Sequence, residues 1–285
     1  MVHNADPIEE QLSGRQLYGE QLTPEQIERW NEQTNAVHGA LLAAHDGSHR
    51  YQHAALDRFH AVGKLLRGRY ECCVALGCAE GDDVSPLAGV VGRFIAIEPL
   101  EQCWRSVIGD KAAQYLRPSV LGDIALGDSS VDLVVAFDVL HHIANVSHVL
   151  GELARVLRPG GLLVVRDPIS WMGDWRQPRR GLTANERGLP LAWFEQAARS
   201  AGFQIVRRRL CLFAPLSKVL RKVGLACPLA RRPVILLDWL MSEGLRWNVR
   251  YRRQGLLAKF APSSALWLLR KPAQSASTET EAPAP

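Results

Sequence analysis

A turn of small residues and a carboxylate beyond it have the clearest chemistry in this chain. The apolar run 74–76 leads into the turn 77–81, and Glu98 follows Gly81 by 17 positions at the end of the apolar run 95–97. Glycine permits positive φ and lets a ligand touch bare backbone, because it has no Cβ. A carboxylate at the tip of the neighbouring strand can accept hydrogen bonds from a ribose diol. The two elements predict a nucleoside pocket at the carboxyl ends of parallel strands.

Three further side chains are candidates for proton transfer. His141 and His142 follow the apolar run 131–137, and Asp167 follows the run 162–166. A histidine titrates near neutral pH and suits the removal of a proton from a hydroxyl group. We expect only one of the two adjacent histidines to face a cleft, and the alternative is that both stabilise the turn. Asp167 is an alternative base or a hydrogen-bond acceptor for a substrate.

Alternating short apolar strands and helical segments must position these groups. Strands are predicted at 73–76, 94–98, 120–121, 131–137, 162–166, 204–212 and 264–269, and helices between them at 84–90, 100–114, 146–157 and 191–200. Two earlier helices are predicted from Thr23 to 44 and over 51–66, after an irregular start, and one amphipathic helix over 233–247. Such alternation predicts a parallel sheet with right-handed crossovers.

Composition bounds the class of protein. The chain has 285 residues, of which 47% are hydrophobic and 22% charged, as in ordinary globular proteins. Its six cysteines show neither CxxC spacing nor a Cys/His cluster, so we expect reduced thiols, no metal site and a cytoplasmic location. No secretory signal and no uncharged run of membrane-spanning length is evident.

Charge is distributed unevenly along the chain. Residues 207–271 contain fifteen cations against Asp238 and Glu243, about +13 in a chain whose net charge is +5. This bias indicates an anionic partner or a solvated basic surface. The insertion at 214–262 is interpreted either as a cap over the active site, which we favour, or as a peripheral membrane contact. No nucleic-acid-binding module is evident, so we expect no nucleic-acid partner.

The stretch from about residue 72 to 213 resembles the class I S-adenosylmethionine-dependent methyltransferases. Four segments in the family's order carry the resemblance: the turn in 73–81, the acid in 97–99, the loop and strand in 121–124 and 128–134, and the runs 137–143 and 153–161. It implies an α/β fold: a doubly wound, Rossmann-like, seven-stranded and mostly parallel sheet with one antiparallel strand. We divide the chain into an N-terminal helical extension (1–70), the methyltransferase domain (71–272, including the insertion) and a disordered tail (273–285).

The resemblance implies S-adenosyl-L-methionine as the cofactor and nine residues that bind it: Gly77, Cys78, Ala79, Gly81, Glu98, Pro99, Asp123, Ile124 and Phe137. In this reading Glu98 accepts from the ribose hydroxyls, Asp123 accepts from the adenine amine, and Phe137 lies near the sulfonium. The chain departs from the family at Ala75, where an acid is usual, and at Ala79, where glycine is usual.

We expect O-methylation of a saccharide or glycolipid precursor, with a histidine or Asp167 as base. The loop 171–187 combines tryptophans, which stack on sugars, with arginines, which bind phosphate; it is equally interpretable as a lid fixed by its own contacts. A phosphorylated or lipid-linked acceptor fits the first interpretation. The alternatives are a small-molecule methyltransferase for a lipid, quinone or natural product, and a catalytically silent binding subunit. The oligomeric state is left open.

Overall fold

A single mixed sheet organises the described part of the chain. The computed structural model describes residues 6–43, 53–177, 179, 182–183, 185–225 and 227–273. Its eight strands are β1 (Tyr70–Leu76), β2 (Val91–Ile97), β3 (Val107–Ile108), β4 (Lys111–Leu116), β5 (Val131–Phe137), β6 (Leu157–Pro168), β7 (Gln204–Cys211) and β8 (Ser264–Arg270).

The strand order is β3-β4-β2-β1-β5-β6-β8-β7. Four neighbouring pairs are parallel: β4 with β2, β2 with β1, β1 with β5, and β5 with β6. Strand β8 runs antiparallel to both β6 and β7, and β3 runs antiparallel to β4. Leu76 pairs with Ile97, so the glycine turn after β1 and the carboxylate after β2 leave the sheet side by side. The mostly parallel, Rossmann-like α/β fold is confirmed.

Helices cover both faces of the sheet. The α-helices are α1 (Pro7–Ser13), α2 (Pro24–Ala43), α3 (Ala54–Asp57), α4 (Gly63–Leu65), α5 (Val146–Val156), α6 (Leu191–Ser200), α7 (Ala214–Lys222) and α8 (Arg232–Gly244). A π-helical turn, Arg58–Val62, joins α3 to α4, and short 3-10 turns lie at Ser85–Val90, Glu101–Cys103, Leu140–His142, Pro228–Ala230, Arg246–Asn248 and Leu257–Lys259.

Strand periodicity sends neighbouring side chains to opposite cores. Val74 and Ala136 pack in the core that contains α5, whereas Ala75 and Val135 pack in the core on the other face. β5 is buried along almost its whole length, as expected for a central strand that is covered on both sides.

The largest error of the sequence prediction lies between β2 and β5. The helix predicted over 100–114 and the strand predicted over 120–121 are wrong: a short 3-10 turn is followed by the hairpin of β3 and β4. Ala112, Ala113 and Gln114 have helical propensity, but pairing of β4 with β2 overrides it. Gly109 makes the hairpin turn with a φ of +62°. The hairpin also makes the sheet eight-stranded rather than seven-stranded, with β3 as a second antiparallel strand.

Smaller differences concern the first residues and the insertion. Residues 7–13, predicted as irregular, form α1, whose first turn is capped by the Asp6 side chain accepting from the Ile8 N–H. The predicted helix at 84–90 is a 3-10 turn, and the insertion holds two α-helices, α7 and α8, instead of one. Among the described residues, no helix is long and apolar enough to cross a bilayer. Most of the predicted tail, from residue 274, lies outside the described residues.

Candidate functional site

A cavity of about 670 Å³ opens at the carboxyl ends of β1, β2 and β5. Its floor comes from the turns that follow these strands. Its opposite wall comes from one face of α2, through Glu28, Asn31, Glu32, Thr34, Asn35 and His38. The N-terminal extension therefore forms part of the cavity wall. The sequence indicated the floor through its motifs but held no comparable signal for the residues of α2.

The glycine turn brings bare backbone to the cavity. Gly77 lines it with a φ of +60°, and a Cβ at this position would lie 2.3 Å from the Val139 side chain. Ala79 also lines it and has a φ of +47°, a left-handed conformation that glycine adopts more readily. This conformation explains why glycine is usual at the position of Ala79. Gly81, with a φ of +89°, packs against Ile108 and is not among the lining residues.

Glu98 links the glycine turn to β2. Its side chain lines the cavity although the residue is only 5% exposed, and its carboxylate accepts from the Ala79 N–H at 2.9 Å and from the Leu100 N–H at 3.0 Å. Burial raises the pKa of Glu98, while the two N–H groups act to lower it. A carboxylate can accept about four hydrogen bonds, so two of its acceptor positions remain for a ligand.

Asp123 and Ile124 line the same cavity beyond Glu98. The Asp123 carboxylate is held by Ser119 Oγ at 3.1 Å and by His148 Nε2 at 2.9 Å. The Ile124 N–H donates to Glu152, so this amide is already engaged within the protein. Pro99 lines the cavity beside Glu98.

Three of the nine predicted cofactor residues lie behind the cavity wall. Gly81 packs as described, Cys78 is 5% exposed, and neither it nor Phe137 lines the cavity. Phe137 is 3% exposed, and the Arg166 guanidinium lies over its ring, 5.6 Å from the centroid. The prediction that Phe137 contacts a sulfonium is therefore not supported by its position. Gly77, Ala79, Glu98, Pro99, Asp123 and Ile124 do line the cavity.

The two adjacent histidines have different surroundings. His142 lines the cavity, whereas His141 does not. His141 Nδ1 lies 2.5 Å from Asp167 Oδ1, and its Nε2 lies 3.7 Å from Glu186 Oε1. Burial lowers the pKa of His141, but its interactions with the Asp167 and Glu186 carboxylates outweigh burial and raise it to about 9. His141 is thus a buried imidazolium between two carboxylates.

Asp167 is fully buried and supports the turn after β5. Its carboxylate accepts hydrogen bonds from the backbone N–H groups of Leu140 and His141, both at 3.2 Å. The same carboxylate also contacts the His141 ring. It does not line the cavity. Asp167 and His141 therefore lie outside the cavity lining, and this position does not favour their predicted role as bases.

His142 is the histidine that lines the cavity. Its ring meets the His38 ring edge-on, with centroids 4.5 Å apart, and its Nδ1 is buried with no hydrogen-bond partner among the described residues. Burial, followed by the charge of His141, lowers the pKa of His142 well below its usual value. His142 is therefore neutral at neutral pH. His141, His142 and Glu186 also bring three potential metal-ligating atoms within 4.8 Å of one another.

Sequence reasoning missed a charged network beside the cavity. Asp138, which lines the cavity with a φ of +51°, receives Arg166 Nη1 at 2.6 Å, and Arg166 Nε donates to Asp57 at 2.7 Å. Arg166 is completely buried, and its charge, with His53 nearby, overcomes burial and keeps the pKa of Asp138 low. The acidic residue directly after a buried strand was the available signal for Asp138.

The loop after β6 is fixed by its own contacts. Arg179 donates to four carbonyl groups between residues 172 and 186, and Trp175 stacks on Tyr18 with centroids 4.7 Å apart. Arg187 is completely buried and donates to three carbonyls, those of Tyr18, His141 and Ala144. These contacts favour the lid interpretation over free arginines that await a phosphate.

The basic insertion does not contribute to the cavity. None of the described residues between 214 and 262 lines the cavity, and α8 packs against β7 instead, with the Trp239 ring 4.3 Å from the Arg209 guanidinium. The prediction that the insertion caps this site is therefore wrong.

Comparison with known proteins agrees with the class of domain that the fold and the cavity define. Residues 74–165 match the family described as "Methyltransferase domain". The chain is 34% identical over 96 residues to a probable S-adenosylmethionine-dependent methyltransferase of Mycolicibacterium smegmatis, covering 32% of this chain and 36% of that protein. It is 32% identical over 115 residues to the O-methyltransferase cnsE of Penicillium expansum, covering 38% and 41%.

The [4+2]-cyclase SpnF has the same fold, with a TM-score of 0.52 at 17% identity over 88% of this chain and 98% of that one. The family match and the relatives named as methyltransferases support the predicted resemblance to S-adenosylmethionine-dependent methyltransferases, and the likeness to SpnF supports the fold. The chain spans well under half the length of the curated relatives it matches first. Because a cyclase shares the fold, the fold alone does not determine the reaction.

Proposed function

We propose that this protein binds S-adenosylmethionine in the cavity and transfers its methyl group to a hydroxyl acceptor. The observation that carries the proposal is the hydrogen bond from the Ala79 N–H to the Glu98 carboxylate. It joins the proposed ribose-binding acid to the glycine turn, and both residues line the same cavity. Gly77 supports it, because this residue lines the cavity with bare backbone and a Cβ here would clash with the Val139 side chain. Asp123 at the far side is available for an adenine amine.

His142 is the proposed base. When bound, S-adenosylmethionine would supply a methyl group whose carbon–sulfur bond breaks, with its electron pair left on sulfur, as the acceptor oxygen attacks. A neutral His142 can accept the proton that the hydroxyl loses. His141, held by Asp167 and Glu186, positions this turn. The O-methyltransferase among the relatives supports oxygen as the attacking atom.

The acceptor we propose is a saccharide or a lipid-linked saccharide precursor. The α2 wall supports it, since Glu28, Asn31, Glu32 and Asn35 offer carboxylate and amide groups suited to sugar hydroxyls. Arg117 is the cation that lines the cavity in the described chain. The free cysteines, five of them buried, agree with the reducing cytoplasm we propose as its location.

Binding of cofactor and transfer of methyl are tested separately. Calorimetry with S-adenosylmethionine and its demethylated product should show binding that Glu98→Gln weakens at least about tenfold, since a charged acceptor is replaced by a neutral one. Glu71→Gln, at an exposed position outside the cavity lining, is the matched control. Radiolabelled methyl transfer into fractionated cell extract then sorts the label among glycan, lipid, nucleic acid and protein. Absence of cofactor binding would overturn the proposal.

Two rival functions predict other results. A methyltransferase for a small lipid, quinone or natural product would label the soluble or lipid fraction without saccharide. A catalytically silent subunit would bind the cofactor and label nothing; the buried Ala75, at the position where the family has an acid, is the feature that favours it.

A further inference from the structure

The insertion presents an unusual concentration of exposed apolar side chains. We call the described residues between 214 and 262 the basic lobe. Nine large apolar side chains of the lobe are exposed, more than in all the rest of the described chain: Val219, Val223, Leu236, Leu237, Leu240, Trp247, Leu256, Leu257 and Phe260. Leu257 is 81% exposed and Leu256 75%. Patches of this kind mark interaction sites.

Cations alternate with these apolar groups. The exposed cations of the lobe are Lys218, Arg221, Lys222, Arg231, Arg232, Arg246, Arg250 and Lys259. Its acids are Asp238 and Glu243, and both are used internally. Asp238 is completely buried and accepts from two backbone N–H groups, and Glu243 accepts from the Leu210 N–H. The exposed face of the lobe thus carries cations and no free carboxylate.

The elements of the lobe form one connected surface. The turn Pro228–Ala230 contacts both α7 and α8, and α8 contacts the turn Arg246–Asn248. Asn248 Nδ2 donates to the carbonyls of Leu257 and Phe260, which ties the last turn to the rest. Ile235 and Ser242 of α8 are buried towards the domain, while Leu236, Leu237 and Leu240 remain outside.

We propose that the basic lobe docks onto an anionic lipid surface and inserts its exposed leucines below the headgroups. Apolar tips surrounded by lysine and arginine suit the membrane interface, where acyl chains receive the leucines and acidic headgroups receive the cations. A nucleic acid would satisfy the cations but leave the aliphatic side chains in water. The proposal does not depend on methyl transfer, and it agrees with a lipid-linked acceptor.

Vesicle binding of the full chain is the primary test. The protein should cosediment with vesicles of phosphatidylcholine and phosphatidylglycerol, and hardly at all with phosphatidylcholine alone. Leu256→Asp and Leu257→Asp should each reduce the partition coefficient at least about tenfold, because each removes a leucine that would insert into the bilayer and adds a charge that the acidic headgroups repel. Val206→Asp, which places the same charge at an exposed valine of β7 outside the lobe, should leave binding unchanged.

Insertion is distinguished from simple charge attraction by a fluorophore on Cys227. This cysteine is exposed and lies within the lobe, whereas the five other cysteines are buried. An environment-sensitive label there should shift to shorter wavelength with anionic vesicles. Equal binding by the leucine variants, or binding without a spectral shift, would overturn the proposal, as would preferential binding to RNA competitor over vesicles.

Discussion

At the scale of single residues, the departures from the family motif have definite structural settings. Ala75 is buried within β1, between β2 and β5, where its methyl group packs in the core. Ala79 has left-handed backbone, and its N–H and C=O bond to Glu98 and to the Tyr115 hydroxyl. The first departure removes a charged group, whereas the second leaves the course of the loop intact.

Replacing Ala79 by glycine should preserve or raise stability. Left-handed backbone costs a non-glycine residue about 1–2 kcal/mol, and glycine adds roughly 0.5–1 kcal/mol of unfolded-state entropy. We expect Ala79→Gly to increase the free energy of unfolding by up to about 1 kcal/mol in urea titrations. Ala75→Gly, in extended and buried backbone, should lower it by about 1 kcal/mol. A loss of stability in Ala79→Gly would contradict the observed conformation.

His142→Gln should lower kcat about a hundredfold while the affinity for S-adenosylmethionine is retained. Because the pKa of His142 is lowered, its neutral form persists below pH 6.5, so the wild-type rate should fall only at more acidic pH. The loss in the variant should be smaller for an acceptor whose hydroxyl ionises more readily. An equal loss for all acceptors would argue for positioning rather than proton removal.

At the scale of elements, the sequence predicted those with strong local patterns. β5 was predicted over 131–137 and α6 over 191–200, and both have these bounds. The helix predicted over 100–114 was wrong because its alanines and glutamine favour a helix locally, while the observed strand depends on pairing with residues of β2 that lie 19 positions earlier. Prediction of the candidate site is limited in the same way, because local patterns do not show contacts between separate elements. Motifs located Glu98 and Asp123, but the facing of each histidine depends on Asp167 and Glu186, which only the fold brings near.

Arg187 joins the N-terminal extension to the histidine turn. Its guanidinium bonds to the Tyr18, His141 and Ala144 carbonyls and lies 4.9 Å from the Trp30 ring centroid. Arg187→Met keeps the length but leaves these acceptors unpaired, so unfolding free energy should fall by about 3 kcal/mol. Arg199→Met, at an exposed ion pair, should cost under about 1 kcal/mol. Similar unfolding midpoints of Arg187→Met and Arg199→Met in denaturant would show that the Arg187 contacts contribute little to stability.

At the scale of the whole molecule, the chain separates two surfaces with different chemistry. Helix α2 contributes polar side chains to the cavity wall, and the insertion exposes basic and apolar side chains on the side of β7. The surface proposed to attach to lipid shares no described residue with the cavity wall, so membrane docking as proposed would not cover the cavity lining.

The stability of the whole fold should depend on pH through Asp83. This residue is 7% exposed, and its Oδ1 has no hydrogen-bond partner among the described residues. Burial, reinforced by the charge of Asp57, raises its pKa to about 8. The folded state therefore keeps a proton that the unfolded chain releases near pH 4. The free energy of unfolding declines as the pH rises from about 4 to about 8, and above pH 8 Asp83 causes no further decline.

Asp83→Asn should flatten this decline, because asparagine resembles the protonated acid and does not ionise. Between pH 5 and pH 8 the variant should gain roughly 3 kcal/mol of unfolding free energy relative to the wild type, measured by urea titration at each pH. Asp82→Asn, at the exposed neighbouring position, should follow the wild-type profile. Parallel profiles for the wild type and Asp83→Asn would mean that Asp83 is ionised in the folded protein, and that the buried charge is compensated by the neighbouring Arg166 network.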